Sequence, residues 1–208
     1  MNDLTIKNED IRICFLGDSL VNGTGDETCL GWAGRLCISA INLGYSITYY
    51  NLGIRRNTSQ DILLRLENEC DLRLPTTCDA RLVISCGVND TVFENDKPRV
   101  KLQNSRINIQ KILNIAKSKY EVIMIGPPPV NDDVQNERIR EINYVFSQEA
   151  NVLGIPFIET FSLLESDENY RQAIQSNDGA HPKSEGYVKL ANIIGSSNKW
   201  WFGQNSFK

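Results

Sequence analysis

A chain of 208 residues with 41% hydrophobic content can close one sizeable core, and we expect a single domain over 1–208 that buries roughly 70% of its unfolded surface. The net charge of −4, with no cluster of lysines and arginines, speaks against nucleic acid as a partner. The polar start from Met1 to Asp10 lacks the apolar centre of a signal peptide, and no run is apolar for long enough to predict an integral membrane segment.

The first apolar run, Ile11 to Leu16, does not alternate with polar residues, as expected of a central strand buried on both faces. It stops on Gly17-Asp18-Ser19, and a loop with Gly23, Gly25 and Gly31 leads to a helix over about Trp32 to Leu43, with Gly44 as its stop. Ile47 to Leu52 reads as a second strand ending on Gly53. Thr58, with Asp61 three residues on, forms a capping box for a helix whose buried stripe is Ile62, Leu63 and Leu66. A third strand, Arg81 to Cys86, closes on Gly87-Val-Asn89-Asp90. Pro98 is then expected to open a helix with Leu102, Ile109, Ile112, Leu113 and Ala116 on its apolar face.

The fourth strand, Val122 to Ile125, is followed by Gly126 and three prolines, Pro127 to Pro129, that fix an extended loop. A helix over about Asp132 to Leu153 should bury Val134, Ile142, Val145, Phe146 and Ala150. Pro156 to Ile158 makes a short fifth strand, one or two short helices follow, and Pro182 suits the first turn of a last helix carrying Tyr187, Leu190, Ala191 and Ile194. Five strands alternating with helices imply an α/β class, three-layer α/β/α structure: a flavodoxin-like doubly wound five-stranded parallel sheet of order 2-1-3-4-5. In such sheets ligands gather beyond the carboxyl ends of the strands, so Ser19, Gly53 and Asn89 should lie side by side.

The six cysteines are widely spaced and form no C-x-x-C pair, so a zinc site is not expected. Cys14 and Cys86 read as small buried residues, and a reduced, cytoplasmic setting follows. Ser19, delivered by a strand to a sheet edge, needs a base to act as a nucleophile. The chain holds one histidine, His181, in Asp178-Gly-Ala-His-Pro182, so a Ser19, His181 and Asp178 triad is conceivable.

Taken together, Gly17-Asp-Ser-Leu20, Gly53, Gly87-Val-Asn89-Asp90 and Asp178-Gly-Ala-His181-Pro182 resemble, in order, the four recurrent blocks of the SGNH hydrolases, the GDSL esterase and lipase family. Each block alone is short; four in sequence on the ends of the right elements are specific. The resemblance implies Ser19 as nucleophile, His181 as base, Asp178 as its orienting acid, and an oxyanion hole made by the backbone amides of Ser19 and Gly53 with the Asn89 side chain. It implies hydrolysis of small carboxylic esters through an acyl-enzyme, with no cofactor and no metal. A thioesterase, lysophospholipase or carbohydrate O-acetyl esterase would use the same machinery with a different pocket.

Asp18 is expected to point away from the serine and brace its loop. Arg55 and Arg56 read as solvated loop charges, with contact to an anionic substrate group as the alternative. Pro128 has two readings, as a pocket wall or only as the end of the fourth strand, and Trp200-Trp201-Phe202 should pack back on the domain rather than form a dimer or membrane patch. From another class stand a catalytically silent relative that binds carbohydrate or protein, and a flavodoxin-like nucleotide or flavin binder with Gly23-Thr24-Gly25 as its phosphate cradle. No G-x-x-x-x-G-K-[ST] signature supports the latter. Oligomeric state has no sequence signal.

Overall fold

The computed structural model describes residues 7–203, so most of the stretch inspected for a signal peptide lies outside it. In chain order the elements are β1 (Lys7–Gly17), α1 (Ser19–Asn22), α2 (Gly31–Asn42), β2 (Tyr45–Gly53), α3 (Ser59–Asp71), β3 (Asp79–Ser85), β4 (Phe93–Glu94), β5 (Lys97–Pro98), α4 (Leu102–Lys119), β6 (Glu121–Ile125), α5 (Asp133–Val152), β7 (Phe157–Ile158), α6 (Phe161–Glu165), α7 (Glu168–Gln175) and α8 (Ser184–Ser196). Five of the strands form one parallel sheet in the order β2-β1-β3-β6-β7, the predicted arrangement. The insertion that sequence reading missed is a short antiparallel ribbon of β4 and β5.

Why β1 shows no alternation is visible in its two faces. Ile11, Ile13 and Phe15 pack with Trp32 and Leu36 of α2 and Tyr187 and Leu190 of α8. Cys14 and Leu16 turn the other way, against Ile62 and Leu66 of α3 and Ile109 and Ile112 of α4. A strand covered by helices on both sides has no wet face to mark with polar residues. Cys86 is buried just beyond β3, as expected.

Three helix expectations are corrected. Pro98 does not open a helix: it pairs with Phe93 in the ribbon, where a missing N–H is tolerated at an edge, and α4 begins at Leu102, which stays 40% exposed. Val134 is 64% exposed, because the buried face of α5 is set by Ile139, Ile142 and Phe146. Pro182 precedes α8, whose N-cap is Lys183, and its ring packs under Gly186, where a Cβ would come within 2.4 Å of the proline Cβ.

The Thr58 and Asp61 capping box forms as read, with Thr58 N–H donating to Asp61 Oδ2 at 2.8 Å. Trp200 and Phe202 are buried in the same cluster as Phe15, with Trp201 packed against it, so the aromatic tail folds back on its own sheet. Among the described residues, no helix is long and apolar enough to cross a membrane.

Candidate active site

The register of the sheet carries the site. Gly17 lies opposite Gly53 on one side and Ser85 on the other, so the turns after β1, β2 and β3 leave from one edge. Immediately after β1, Asp18 caps the single turn α1, and Ser19 is its first residue; the turn ends on Gly23 at φ +85°, a conformation that favours glycine. Ser19 is thereby held on a rigid strand-to-helix turn rather than a free loop, and its side chain is nearly buried.

Ser19 Oγ lies 2.7 Å from Nε2 of His181, although 162 residues separate them. The ring's Nδ1 lies 2.7 Å from Oδ2 of Asp178. The same carboxylate accepts the backbone N–H groups of Ala180 at 3.0 Å and His181 at 2.8 Å through Oδ1. One side chain therefore fixes both the turn and the ring. Gly179, at φ +82°, supplies the bend between them, as its place in the sequence suggests.

Burial pushes the Asp178 carboxyl up, but the hydrogen bonds from His181 and Ala180 outweigh it and hold its pKa at about 2. An ionised carboxylate only accepts, so the imidazole proton belongs on Nδ1 and Nε2 is free to accept from the Ser19 hydroxyl.

Asn89 opens the short 3-10 turn after β3, and its Nδ2 donates to Oδ2 of Asp18 at 3.1 Å. Oδ1 of Asp18 accepts the N–H of Leu20 at 2.9 Å. Asp18 does brace its loop, but with a more specific object than expected: it anchors the amide of Asn89. Desolvation raises the Asp18 pKa to about 6 against the lowering bonds from Leu20 and Asn89. Asp90 is fully buried and accepts from Ser59 N, Ser59 Oγ and Ser105 Oγ, which pins the Asn89 turn to α3 and α4.

Gly53 departs from its expected role. Its N–H donates to Asn51 Oδ1 at 2.9 Å and so is engaged inside the β2 end, and Gly53 does not line the cleft. What needs a glycine there is packing: a Cβ would come within 2.2 Å of Asn22 N and 2.7 Å of Asp18 O. The N–H of Ser19, in contrast, meets no acceptor among the described residues.

A cleft of about 220 Å³ opens over Ser19, His181 and Asn89, with Leu20, Val88, Val92, Val130 and Ala180 as apolar wall and Arg55, Arg56 and Gln135 at its rim. Pro128 is buried and is not among the lining residues; Val130, two positions later, is. The apolar liners carried no sequence signal, since each is a single valine, leucine or alanine in a loop. Among the described residues no group of three or more potential metal ligands occurs.

The glycine loop is not a phosphate cradle. Gly23 and Thr24 donate their N–H groups to Ser19 O, and Thr28 and Gly31 donate theirs to the Asp26 carboxylate, which also pairs with buried Arg35. The N–H groups of Gly23 and Thr24 are thus committed to a backbone carbonyl, and those of Thr28 and Gly31 to the Asp26 carboxylate. The glycines serve close packing: a Cβ on Gly25 would lie 3.3 Å from that of His181.

The sequence matches the GDSL-like lipase/acylhydrolase family over residues 15–189. Among solved structures, a lipase/acylhydrolase from Enterococcus faecalis superposes with a TM-score of 0.69 at 23% identity, covering 88% of this chain and 93% of the other. The psychrotrophic esterase EstA from Pseudoalteromonas sp. gives 0.71 at 18% identity, with 92% and 98% covered. A catalytic mutant of Axe2, an acetylxylan esterase from Geobacillus stearothermophilus, gives 0.74 at 19% identity, with 95% and 98% covered. No curated protein matches the sequence significantly. The match over most of the chain identifies it as a member of the GDSL-like lipase/acylhydrolase family, ester-hydrolysing enzymes.

Proposed function

We propose that this enzyme hydrolyses small carboxylic esters through an acyl-enzyme on Ser19. The observation that carries the reading is the unbroken chain from Ser19 Oγ through both nitrogens of His181 to Asp178, with each link at 2.7 Å.

As the Ser19 oxygen adds to the acyl carbon, Nε2 of His181 takes its proton. The imidazolium that forms is stabilised by Asp178, whose low pKa keeps it charged. The carbonyl oxygen becomes an oxyanion, for which the Ser19 amide and the second N–H of Asn89 are the available donors. Collapse of the adduct breaks the bond to the alcohol oxygen, which leaves with the proton from Nε2. Water then repeats the sequence on the acyl-serine, giving its proton to His181, releasing the acid and returning the proton to Ser19.

A cleft near 220 Å³, below the roughly 300–1,000 Å³ of sites for drug-sized ligands, favours short acyl and alcohol parts. Resemblance in fold to an acetylxylan esterase keeps a carbohydrate O-acetyl ester as a second reading. Turnover of acetylated sugars well above matched aryl acetates distinguishes it.

The test is intact-mass analysis after exposure to a fluorophosphonate, which traps an activated serine as a tetrahedral phosphonyl adduct. We expect one adduct on wild type, none on Ser19→Ala and a much slowed reaction on His181→Ala. No adduct on folded wild type, or equal labelling of Ser19→Ala, overturns the assignment.

A further inference from the structure

We infer that the cleft selects esters bearing a carboxylate, with Arg55 as its counter-ion; this rests on the function proposed above. The chain as a whole is acidic, with a net charge of −4, yet the rim over Ser19 is cationic. Arg55 and Arg56 both line the cleft, from the turn that follows β2.

Arg56 is committed: its Nη2 lies 2.5 Å from Glu94 Oε1, and its carbonyl accepts from Arg99 Nη1 at 2.8 Å. Arg99 Nε is itself 3.7 Å from the same Glu94 oxygen, so one carboxylate serves two guanidinium groups. Arg55 has no hydrogen bond or ion pair among the described residues. The one carboxylate lining the cleft, Asp18, is buried and turned to Asn89 and Leu20. Among the described residues, therefore, no carboxylate pairs with Arg55.

The turn is also fixed rather than loose. Asn57 N–H closes it on Ile54 O at 3.2 Å, Arg56 holds the left-handed conformation at φ +66°, and Ile54 N–H ties it to Gly17 O at 3.1 Å, two residues before Ser19. A guanidinium on such a turn meets an arriving carboxylate with its planar fork of donors without first having to order the backbone. Arg55 is itself exposed, so the pairing is modest in strength and screened by salt.

The test compares kcat/KM on matched neutral and anionic esters that place the charge on either side of the scissile bond. The 4-nitrophenyl ester of butyrate is set against the mono-4-nitrophenyl ester of succinate, and phenyl acetate against 4-acetoxybenzoate. We expect about a tenfold preference for the anionic member of one pair, carried mainly in KM, narrowing as salt is raised. Arg55→Gln brings the ratio close to one, and Arg55→Lys retains part of it.

A readout that needs no turnover is the melting temperature of Ser19→Ala with monomethyl succinate or methyl butyrate: the carboxylate raises it more, and Arg55→Gln in that background cancels the difference. Equal treatment of both pairs, or a preference that survives Arg55→Gln, overturns the inference even where the esters are turned over. Failure of the fluorophosphonate test leaves the binding comparison standing, so the two readings fall separately.

Discussion

Replacing Asp18 by Asn removes a charge without changing shape, and the structure assigns two separable effects to that charge. The carboxylate is 2% exposed and accepts from Leu20 N–H and from Asn89 Nδ2. An asparagine can keep one acceptor toward Leu20, but its NH₂ then faces the NH₂ of Asn89, and two donors cannot pair. Asn89 loses its anchor beside the proposed oxyanion. Removing such a donor outright costs about 10²- to 10³-fold, and misplacing one should cost roughly 10- to 100-fold in kcat on a neutral aryl ester.

The second effect is on stability. Folding raises the Asp18 pKa from 3.8 to about 6, mainly by desolvation, so the folded state holds the proton more tightly. Its contribution is greatest below pH 3.8 and is lost as pH rises through about 6, which amounts to about 3 kcal/mol at roughly 1.4 kcal/mol for each pH unit. Asp18→Asn does not titrate. Denaturant unfolding of both proteins at pH 4 and pH 7.5 should show the variant gaining on wild type by about 2 kcal/mol across that interval, while other groups cancel in the comparison. Wild-type kcat in the variant, or a stability difference that does not change with pH, refutes the reasoning.

Gly53→Ala should lower the melting temperature and kcat together, because the new methyl meets Asn22 N and Asp18 O and must displace the turn that carries Ser19; a cost of about 1–3 kcal/mol is expected from such overpacking, and an unchanged melt overturns it. Asp178→Asn should leave the fold intact but reduce kcat by about 10²- to 10⁴-fold by disturbing the tautomer of His181. Because the Asp178 pKa is depressed to about 2, its stabilising effect is present above pH 3.8 and is lost as pH falls toward 2. Wild type should accordingly lose more stability than Asp178→Asn on acidification through that range, as followed by denaturant unfolding.

The sheet and its order were legible because local sequence states them. Apolar runs without alternation, each ended by glycine and followed by a helical stripe, leave few arrangements but alternating parallel strands with helices on both faces. That Ser19, Asn89, Asp178 and His181 gather at one edge was legible for the same reason. Each sits just past a strand end or just before a helix, where topology alone gathers them at one edge. The Asp178-Gly-Ala-His181 turn is local chemistry throughout, with acid, bend and base within four residues.

Roles that depend on which partner a group finds were not legible. Gly53 has the residue type of an oxyanion donor, but Asn51 takes its N–H, and that choice depends on how β2 ends beside α1. Asp18 was a neighbour of Ser19 in sequence and became the anchor of Asn89, 71 residues away, only when β3 was laid beside β1. The Gly23-Thr24-Gly25 stretch, weighed in sequence as an alternative anion cradle, spends the amides of Gly23 and Thr24 on Ser19 O. Spacing along the chain thus determined which side chains could meet at the sheet edge. Tertiary packing decided which hydrogen-bonding groups were already occupied, since a donor or acceptor in a folded interior serves whichever partner lies within about 3 Å.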